Sequence, residues 1–551
     1  QGDTMKIFAA LASAFQKEQV DTCFALLGDA NMYWAGALSD LGVRFVYTRH
    51  EHAAVAGATT YARASGKVGV ASVTCGPGLT QVMTIIPIAV RARVPLVIFA
   101  GEAPLYKPWY NQNINQAPFV EACGAEYRAL HDPETMIADV HQAFADAKGT
   151  QKPIVVGVPL DVQQQIYDGQ QNQPSSFDLF TPGLPIVPDQ SDIAHAAQWI
   201  EKARRPVLLA GLGAVAAHAK EACVALAEKS GACLATTLPA KGFFHDQSFC
   251  LGVAGGYGTE AAKAIFAETD LVIGVGARLA SHTFDSGRLT PNARVIQLDV
   301  NPNEVVQGRK AADMTIAADA RLGCEALCNV VGMQQGWRTE SMKSRTEAAL
   351  MLPDEHQTPD GALHPMAVVK ALAEVVPHNC HIVNTSGHIA YYTAQMNSHP
   401  QSHYTVIRDF GAIGNGTSFA MGIAAAHPER PVILLDGDGS ALMHIQELET
   451  MHRHGMHILT IVLNDGAYGS EVHKLRADGV TEAGSVFGRP DFAAIGRGFG
   501  IDGLTFKSLE NMTQAMDAFL LTGTSAIWDI QVSDQITSPQ ILKAHNATQQ
   551  H

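Results

Sequence analysis

Asp438 and Asp465 are the residues best equipped for chemistry in this chain. They lie 27 positions apart in the stretch 431–469, PVILLDGDGSALMHIQELETMHRHGMHILTIVLNDGAYG. An apolar run at 432–436 leads into the tight Gly437-Asp438-Gly439-Ser440. Leu442, Ile445, Leu448 and Met451 follow at helical spacing, and a second apolar run, 458–463, ends in Asn464-Asp465-Gly466. The pattern predicts strand, turn, helix and strand, with an acid at the end of each strand. Strand ends of a parallel sheet face the ligand crevice. Two carboxylates beside glycine-exposed backbone suit a hard cation such as Mg²⁺ that holds a diphosphate. A Rossmann-type turn without metal is the plainer reading of the same glycines.

A third acid occupies a comparable place upstream. Val43-Arg44-Phe45-Val46-Tyr47 reads as a strand, and Thr48-Arg49-His50-Glu51-His52 opens an Ala-rich helix reaching Arg63. Glu51 thus stands where a strand gives way to a helix, and its plain role there is to complement the helix dipole. The next strand, 68–74, ends in Gly76-Pro77-Gly78.

The elements that must position these acids fall into three blocks. A length of 551 residues predicts about three domains. Segment 168–190 is rich in Gln, Pro and Ser, segment 334–365 is charged, and both read as linkers between blocks 5–167, 190–333 and 360–540. Each block alternates β-branched strands with Ala-rich helices, which predicts an α/β fold of three mostly parallel, helix-flanked sheets. A hydrophobic content of 47% allows ample core, and a formal net charge of −15 argues against nucleic acid or an anionic membrane as partner. Nine dispersed cysteines, with no zinc-type Cys-x-x-Cys pair, read as reduced and cytoplasmic. Cys324 and Cys328, four apart, read as one helix face. No apolar run reaches membrane-spanning length, and no signal-type segment is visible.

The Gly-Asp-Gly turn, its spacing to Asp465 and the Arg-His-Glu context of Glu51 resemble thiamine diphosphate (ThDP)-dependent enzymes of the acetolactate synthase, pyruvate decarboxylase and pyruvate oxidase superfamily. The resemblance covers essentially the whole chain. It implies a pyrimidine-binding domain, a middle Rossmann-like domain and a diphosphate-binding domain. It implies that Asp438, Asp465 and the carbonyl of Ala467 hold Mg²⁺, although most relatives have Asn where Asp465 stands. Gly439, Ser440, Tyr468 and Gly469 belong to the same cofactor motif. In Arg408-Asp-Phe-Gly-Ala-Ile-Gly-Asn-Gly416, Gly411 would accept from the cofactor's 4′-amino group and Ile413 would wedge it into a bent shape. Plain core is the other reading of Ile413. Asn384-Thr-Ser-Gly-His388 resembles the diphosphate loop, with Gly387 and His388 as phosphate binders, while His388 could instead line the substrate pocket. Glu51 would bond N1′ of the aminopyrimidine and promote loss of the thiazolium C2 proton, which requires burial to raise its pKa. Since Glu51 and the metal site come from different subunits in this superfamily, a homodimer is the minimum and a homotetramer the expected assembly.

The residues that direct the later chemistry are mixed. Gly28-Asp29-Ala30-Asn31 resembles the catalytic-acid turn of simple 2-oxo acid decarboxylases, and Glu471 falls where those enzymes carry a second acid. A turn residue and a solvated helix acid are the plain readings of the two. Yet the decarboxylases' His-His pair is absent near 106–110. Gly101-Glu102 replaces the Gly-Gln of acetolactate synthases, and Phe119-Val120-Glu121 their Phe-Gln-Glu. Lys474 and Arg476 could face an anionic substrate or lie on a solvated helix face. The Gly-rich turns of the middle block (206–214, 272–278) and Asp299 resemble FAD-binding members, so FAD stays open beside relatives that bind nothing there. The expected activity is 2-oxo acid decarboxylation with or without carboligation, in a chain that resembles acetolactate synthase without being a housekeeping synthase. The alternatives are a non-decarboxylating acyloin or dione lyase or hydrolase, a flavin-dependent oxidase, and a non-catalytic assembly partner, against which the retained Glu51, Asp438 and Asp465 argue.

Overall fold

A computed structural model describes residues 5–170, 172–302, 312–353 and 356–542. Among the described residues, eighteen strands form three six-stranded sheets whose paired neighbours all run parallel. The first holds β1 (Thr22–Ala25), β2 (Arg44–Tyr47), β3 (Gly69–Val73), β4 (Leu96–Glu102), β5 (Glu126–Ala129) and β6 (Pro153–Pro159), in the order β2-β1-β3-β4-β6-β5. The middle sheet holds β7 (Pro206–Ala210), β8 (Cys233–Thr236), β9 (Cys250–Val253), β10 (Leu271–Val275), β11 (Arg294–Asp299) and β12 (Met314–Ala317). Its order, β12-β11-β10-β7-β8-β9, is that of a dinucleotide-binding Rossmann sheet. The third holds β13 (His381–Asn384), β14 (Tyr404–Val406), β15 (Val432–Gly437), β16 (Ile458–Asn464), β17 (Asp502–Phe506) and β18 (Ala526–Gln531). Its order, β14-β13-β15-β16-β18-β17, repeats the first sheet strand for strand. Central strands such as β16 (ILTIVLN) are buried at every position, as a sheet covered on both faces requires.

The first and third sheets meet through two helices of small residues, Glu51–Ser65 and Gly416–Ala426. Their backbones approach so closely at Gly422 that an added Cβ would sit 2.0 Å from Thr60 Oγ1 and 2.2 Å from the Gly57 carbonyl. Thr60 Oγ1 donates to the Phe419 carbonyl at 2.9 Å across this crossing. A single apolar core then runs through both blocks, from Phe24 and Val55 to Phe419, Met421 and Leu434. Polar ties flank it: His52 Nε2 to Asn415 Oδ1 (2.6 Å), Arg44 Nη2 to the Ala425 carbonyl (2.5 Å), and the Arg49 N–H to Glu447 Oε1 (3.1 Å). Glu447 is fully buried, and burial pushes its carboxyl up to about 7.

Three expectations need correction. Segment 168–190 contains a capped helical turn, Ser176–Leu179, whose Ser176 N–H donates to buried Glu18 (2.7 Å), so it packs on the first block. Segment 334–365 contains the helix Glu340–Leu350, which sends Met342 and Ala349 into the middle core. Amphipathic content too short to register as periodicity lies inside polar composition in both. The helix expected across Leu442–Met451 is also two pieces, Asp438–Met443 and Glu447–Arg453. His444 leaves helical geometry between them and bonds the Gly414 carbonyl through Nδ1 at 2.7 Å. Cys324 and Cys328 do share one helix, Ala320–Val330.

Gly422→Leu should lower the thermal midpoint, with a loss of about 2 kcal/mol or more from overpacking at the crossing, and Gly422→Ala should fall between it and the wild type. Equal midpoints in calorimetry would mean that the helices separate at little cost. Between pH 4.5 and 7 folded Glu447 keeps a proton that the unfolded chain has released, so this group's contribution to stability falls as pH rises through that window. The effect is on the order of 3 kcal/mol above pH 7. In Glu447→Gln the decline of the thermal midpoint from pH 5 to 8 should therefore flatten, and parallel profiles in the two proteins would refute the assignment.

Candidate active site

The strand order of the third sheet reverses between β13 and β15, and the turns that follow these two strands define a crevice at the sheet's carboxyl edge. After β13, Asn384 Oδ1 accepts from the Thr385 N–H (2.9 Å) and from Thr393 Oγ1 (2.5 Å), which fixes the Thr385–His388 turn. Gly387 has φ +105°, a conformation open to glycine. After β15, Asp436 Oδ1 accepts from Thr385 Oγ1 (2.8 Å) and the Gly437 N–H (2.9 Å), locking the two turns together. Sequence reasoning passed over Asp436. It alternates with Asp438 in the same short motif, and only the strand register tells which acid anchors and which faces the crevice.

Asp438 and Asp465 end the neighbouring strands β15 and β16, both nearly fully buried. Asp438 Oδ1 accepts from the Gly439 N–H (2.7 Å), and its Oδ2 accepts from the Gly466 N–H (2.6 Å), one residue past Asp465. Asp465 Oδ1 accepts from the Ala467 N–H at 3.2 Å. Burial first, and then their mutual repulsion in the case of Asp465, raise both carboxyls, that of Asp438 to about 6. Tyr468 lies over Gly439, where an added Cβ would be 2.5 Å from its ring, and packs edgewise on Phe487 at 5.1 Å. A Cβ on Gly469 would lie 2.9 Å from both Asp465 Oδ2 and His388 Nδ1, so these two atoms border one space. Ser440 Oγ accepts from the Gly414 N–H (2.9 Å), which ties the acid-bearing turn to the 411–415 loop. Half-buried Ile413 comes within 4.0 Å of a Cβ position on Gly387. Gly411 starts this loop at φ +74°, its N–H donating to the Arg408 carbonyl (3.0 Å).

His388 is buried, and burial, aided by the nearby His473, lowers its pKa to about 3, so the ring is neutral. Its Nε2 accepts from the Ser538 N–H (3.0 Å), while Nδ1 has no protein partner among the described residues. Glu471 is exposed on the helix Gly469–Ala477, as is Lys474. Arg476 is half-buried and pairs with Glu482 and with Asp534 (2.8 Å). The two partners lie downstream of it in chain segments whose pairing local spacing cannot reveal.

Glu51 and Asp29 lie together at the corresponding edge of the first sheet. Glu51 is half-buried at the start of its helix, with Oε1 3.6 Å from a Cβ position on Gly78. Asp29 is exposed in a turn closed by Asn31, whose Oδ1 accepts from the Gly28 N–H (2.8 Å). The Gly76 N–H donates to Gln116 Oε1 (2.9 Å), which holds the Gly-Pro-Gly turn beside Glu51 and was not singled out from the sequence. Among the described residues no hydrogen bond or ion pair joins Glu51 or Asp29 to Asp438, Asp465 or His388. One chain thus carries two half-sites at equivalent edges of equivalent sheets. A cleft of about 1560 Å³ lies between the three blocks, and the middle sheet contributes Gly211, Gly213, Gly276, Arg278, Asp299 and Asp319 to its wall. Arg278 is committed to Asp409 (2.9 Å) and the Arg91 carbonyl (2.7 Å).

Three family models match the chain. They are the thiamine pyrophosphate enzyme N-terminal TPP binding domain at residues 5–118, the central domain at 193–327 and the C-terminal TPP binding domain at 385–530. The acetolactate synthase large subunit of Parasynechococcus marenigrum is 30% identical over 95% of this chain and 87% of its own. The acetolactate synthase isozyme 2 large subunit of Escherichia coli is 28% identical over 92% of each chain. The probable acetolactate synthase large subunit of Methanocaldococcus jannaschii is 27% identical over 98% of this chain and 93% of its own. With three parallel sheets in matching order and acids at the edges of the first and third, the chain belongs to the thiamine pyrophosphate enzyme family.

Proposed function

We propose that this chain is a ThDP- and Mg²⁺-dependent enzyme that decarboxylates a 2-oxo acid, with or without ligation of the remaining acyl unit to a second carbonyl. One observation carries the reading: two buried, mutually repelling carboxylates, Asp438 and Asp465, end the adjacent strands β15 and β16 beside the switch point of the third sheet. A divalent cation replaces the protons that such a pair otherwise keeps. Two carboxylate oxygens and the Ala467 carbonyl form the all-oxygen set that Mg²⁺ prefers, with diphosphate oxygens and water completing it.

When bound, ThDP would supply a carbon nucleophile and an electron sink. The protein's own groups would do the rest. Gly387, His388, Gly439, Ser440, Tyr468 and Gly469 would hold its diphosphate. Ile413 and the Gly411 carbonyl would hold its rings. Glu51 holds a proton at N1′ of the pyrimidine, and Asp29 and Glu471 move protons at the reacting carbon. Glu51 serves the metal site of a second copy, so the enzyme is a homodimer at minimum and a homotetramer by expectation. Exposed apolar side chains near the two half-sites support this self-association: Leu105, Tyr106 and Trp109 in the first block, Met443, Tyr468 and Phe487 in the third. Nine free cysteines suit a reducing, cytoplasmic setting. No helix among the described residues is long and apolar enough to cross a membrane.

The middle cleft has room for FAD and a strand-end acid, Asp299, in the position that suits a ribose. Arg278, the cation of its Gly-rich turn, is already paired with Asp409, which leaves it unsuited to hold a phosphate. No step is routed through flavin.

Protein stripped with chelator and reloaded with ThDP and Mg²⁺ should release CO₂ from at least one of a panel of 2-oxo acids. Glu51→Gln should reduce that release at least 100-fold, in the range general acid–base groups contribute. Cofactor binding without CO₂ from any acid would instead favour acyloin or dione cleavage. Asp465→Asn should bind Mg²⁺ about tenfold more weakly, or ~1.4 kcal/mol, in calorimetric titration of the ThDP-loaded protein. An unchanged affinity would mean that the second carboxylate's charge adds nothing to Mg²⁺ binding.

A further inference from the structure

The last described segment of the chain, residues 533–542, lies against the diphosphate turn. Arg489 Nη2 donates to the Val532 carbonyl (2.7 Å), and Arg476 Nη1 and Nη2 bind the Asp534 carbonyl (2.6 Å) and carboxylate (2.8 Å). Tyr392 OH donates to the Ile536 carbonyl at 3.4 Å, and Thr537 Oγ1 bonds His473 Nδ1 at 2.8 Å. The His473 ring packs on His388 with centroids 4.5 Å apart. The chain then places the Ser538 N–H 3.0 Å from His388 Nε2. A backbone N–H can only donate, so Nε2 is the acceptor and the ring's one proton sits on Nδ1. That Nδ1–H is buried without a protein partner and borders the same space over Gly469 as Asp465 Oδ2.

We propose that the C-terminal segment is part of the diphosphate site: Ser538, through its backbone N–H, and Thr537, through His473, hold His388 in the Nδ1–H tautomer that donates to a diphosphate oxygen. Ser538 and Thr537 are positioning residues that act through His388. The inference rests on the cofactor reading above and assigns the segment a role beyond it. Without the Ser538 N–H the ring can place its proton on Nε2, and Nδ1 then turns a lone pair toward the anion.

The test is calorimetric titration of apo-protein with ThDP at saturating Mg²⁺. Wild-type protein that binds no ThDP would sink the cofactor reading itself, before any variant is compared. Ser538→Ala keeps the N–H and Ser538→Pro removes it, and the dissociation constant of the second should exceed that of the first at least tenfold. In a His388→Asn background the side-chain amide can present its donor at the Nδ1 position without the tail, so the Pro/Ala ratio should fall towards one. Constants within twofold in the His388 protein, or an undiminished ratio in the Asn background, would overturn the proposal. Hydrogen exchange of the wild-type 533–542 peptide gives a second reading that needs no variant to fold. By reciprocity, ThDP·Mg²⁺ should slow its exchange, and unchanged exchange at saturating cofactor would also overturn the proposal.

Discussion

Everything in the third block is arranged around two negative charges held close together out of water. Burial alone drives Asp438 and Asp465 towards their neutral forms, and proximity adds to the cost. The fold answers with directed backbone: the N–H groups of Gly439, Gly466 and Ala467 all point at the two carboxylates. Three of the glycines around them stand where a side chain would collide. Gly439 lies under Tyr468, Gly416 against Asp436, and Gly469 between His388 and Asp465. The backbone donors offset part of the desolvation and fix the direction of both carboxylates.

The same edge of the same sheet order is used twice for opposite purposes. In the third sheet this edge gathers Asp438 and Asp465, and in the first it presents Glu51 and Asp29 beside Gly-Pro-Gly, with no charge partner among the described residues. The helices that join these sheets cross at Gly57 and Gly422, which sets the two half-sites apart within one molecule. Equivalent topology with inequivalent chemistry is the arrangement expected if two copies face each other, each acid edge meeting the partner's metal edge. The apolar side chains exposed beside both edges are the surface such a meeting would cover.

Much of this was legible in the sequence because each motif was local. The 432–436 and 458–463 runs and their terminal acids need only strand periodicity and glycine to be placed, and β15 and β16 begin and end within a residue of expectation. The clustering of Gly387, Ile413, Asp438 and Gly469 came from resemblance, because their approach is set by sheet order, which periodicity does not encode. What stayed hidden depends on contacts distant in sequence. Arg476 reads as a surface cation until Asp534 is folded back on it, and the polar segments 168–190 and 334–365 read as linkers because their burial is supplied by Glu18 and by the middle core. His444 looked like one more helix residue, and its bond to the Gly414 carbonyl breaks the helix.

The 406–414 loop ties the third block to the other two. Its anchors come from both of them. Asp409 pairs with Arg278 of the middle block, Arg91 of the first block lies 4.7 Å over the Phe410 ring, and half-buried Arg63, also of the first block, donates to the Val406 carbonyl (3.5 Å). Arg408 spans the last gap, stacked 4.3 Å over Tyr257 of the middle block with Nε 3.4 Å from Ser386 Oγ in the diphosphate turn. A loop held from three sides has little freedom to relax when a side chain pushes on it, so the shape Ile413 presents is set before any ligand arrives. On this view the middle block acts on the chemistry through Arg278 and Tyr257, as a brace, and its own crevice need not take part in the reaction for its fold to matter.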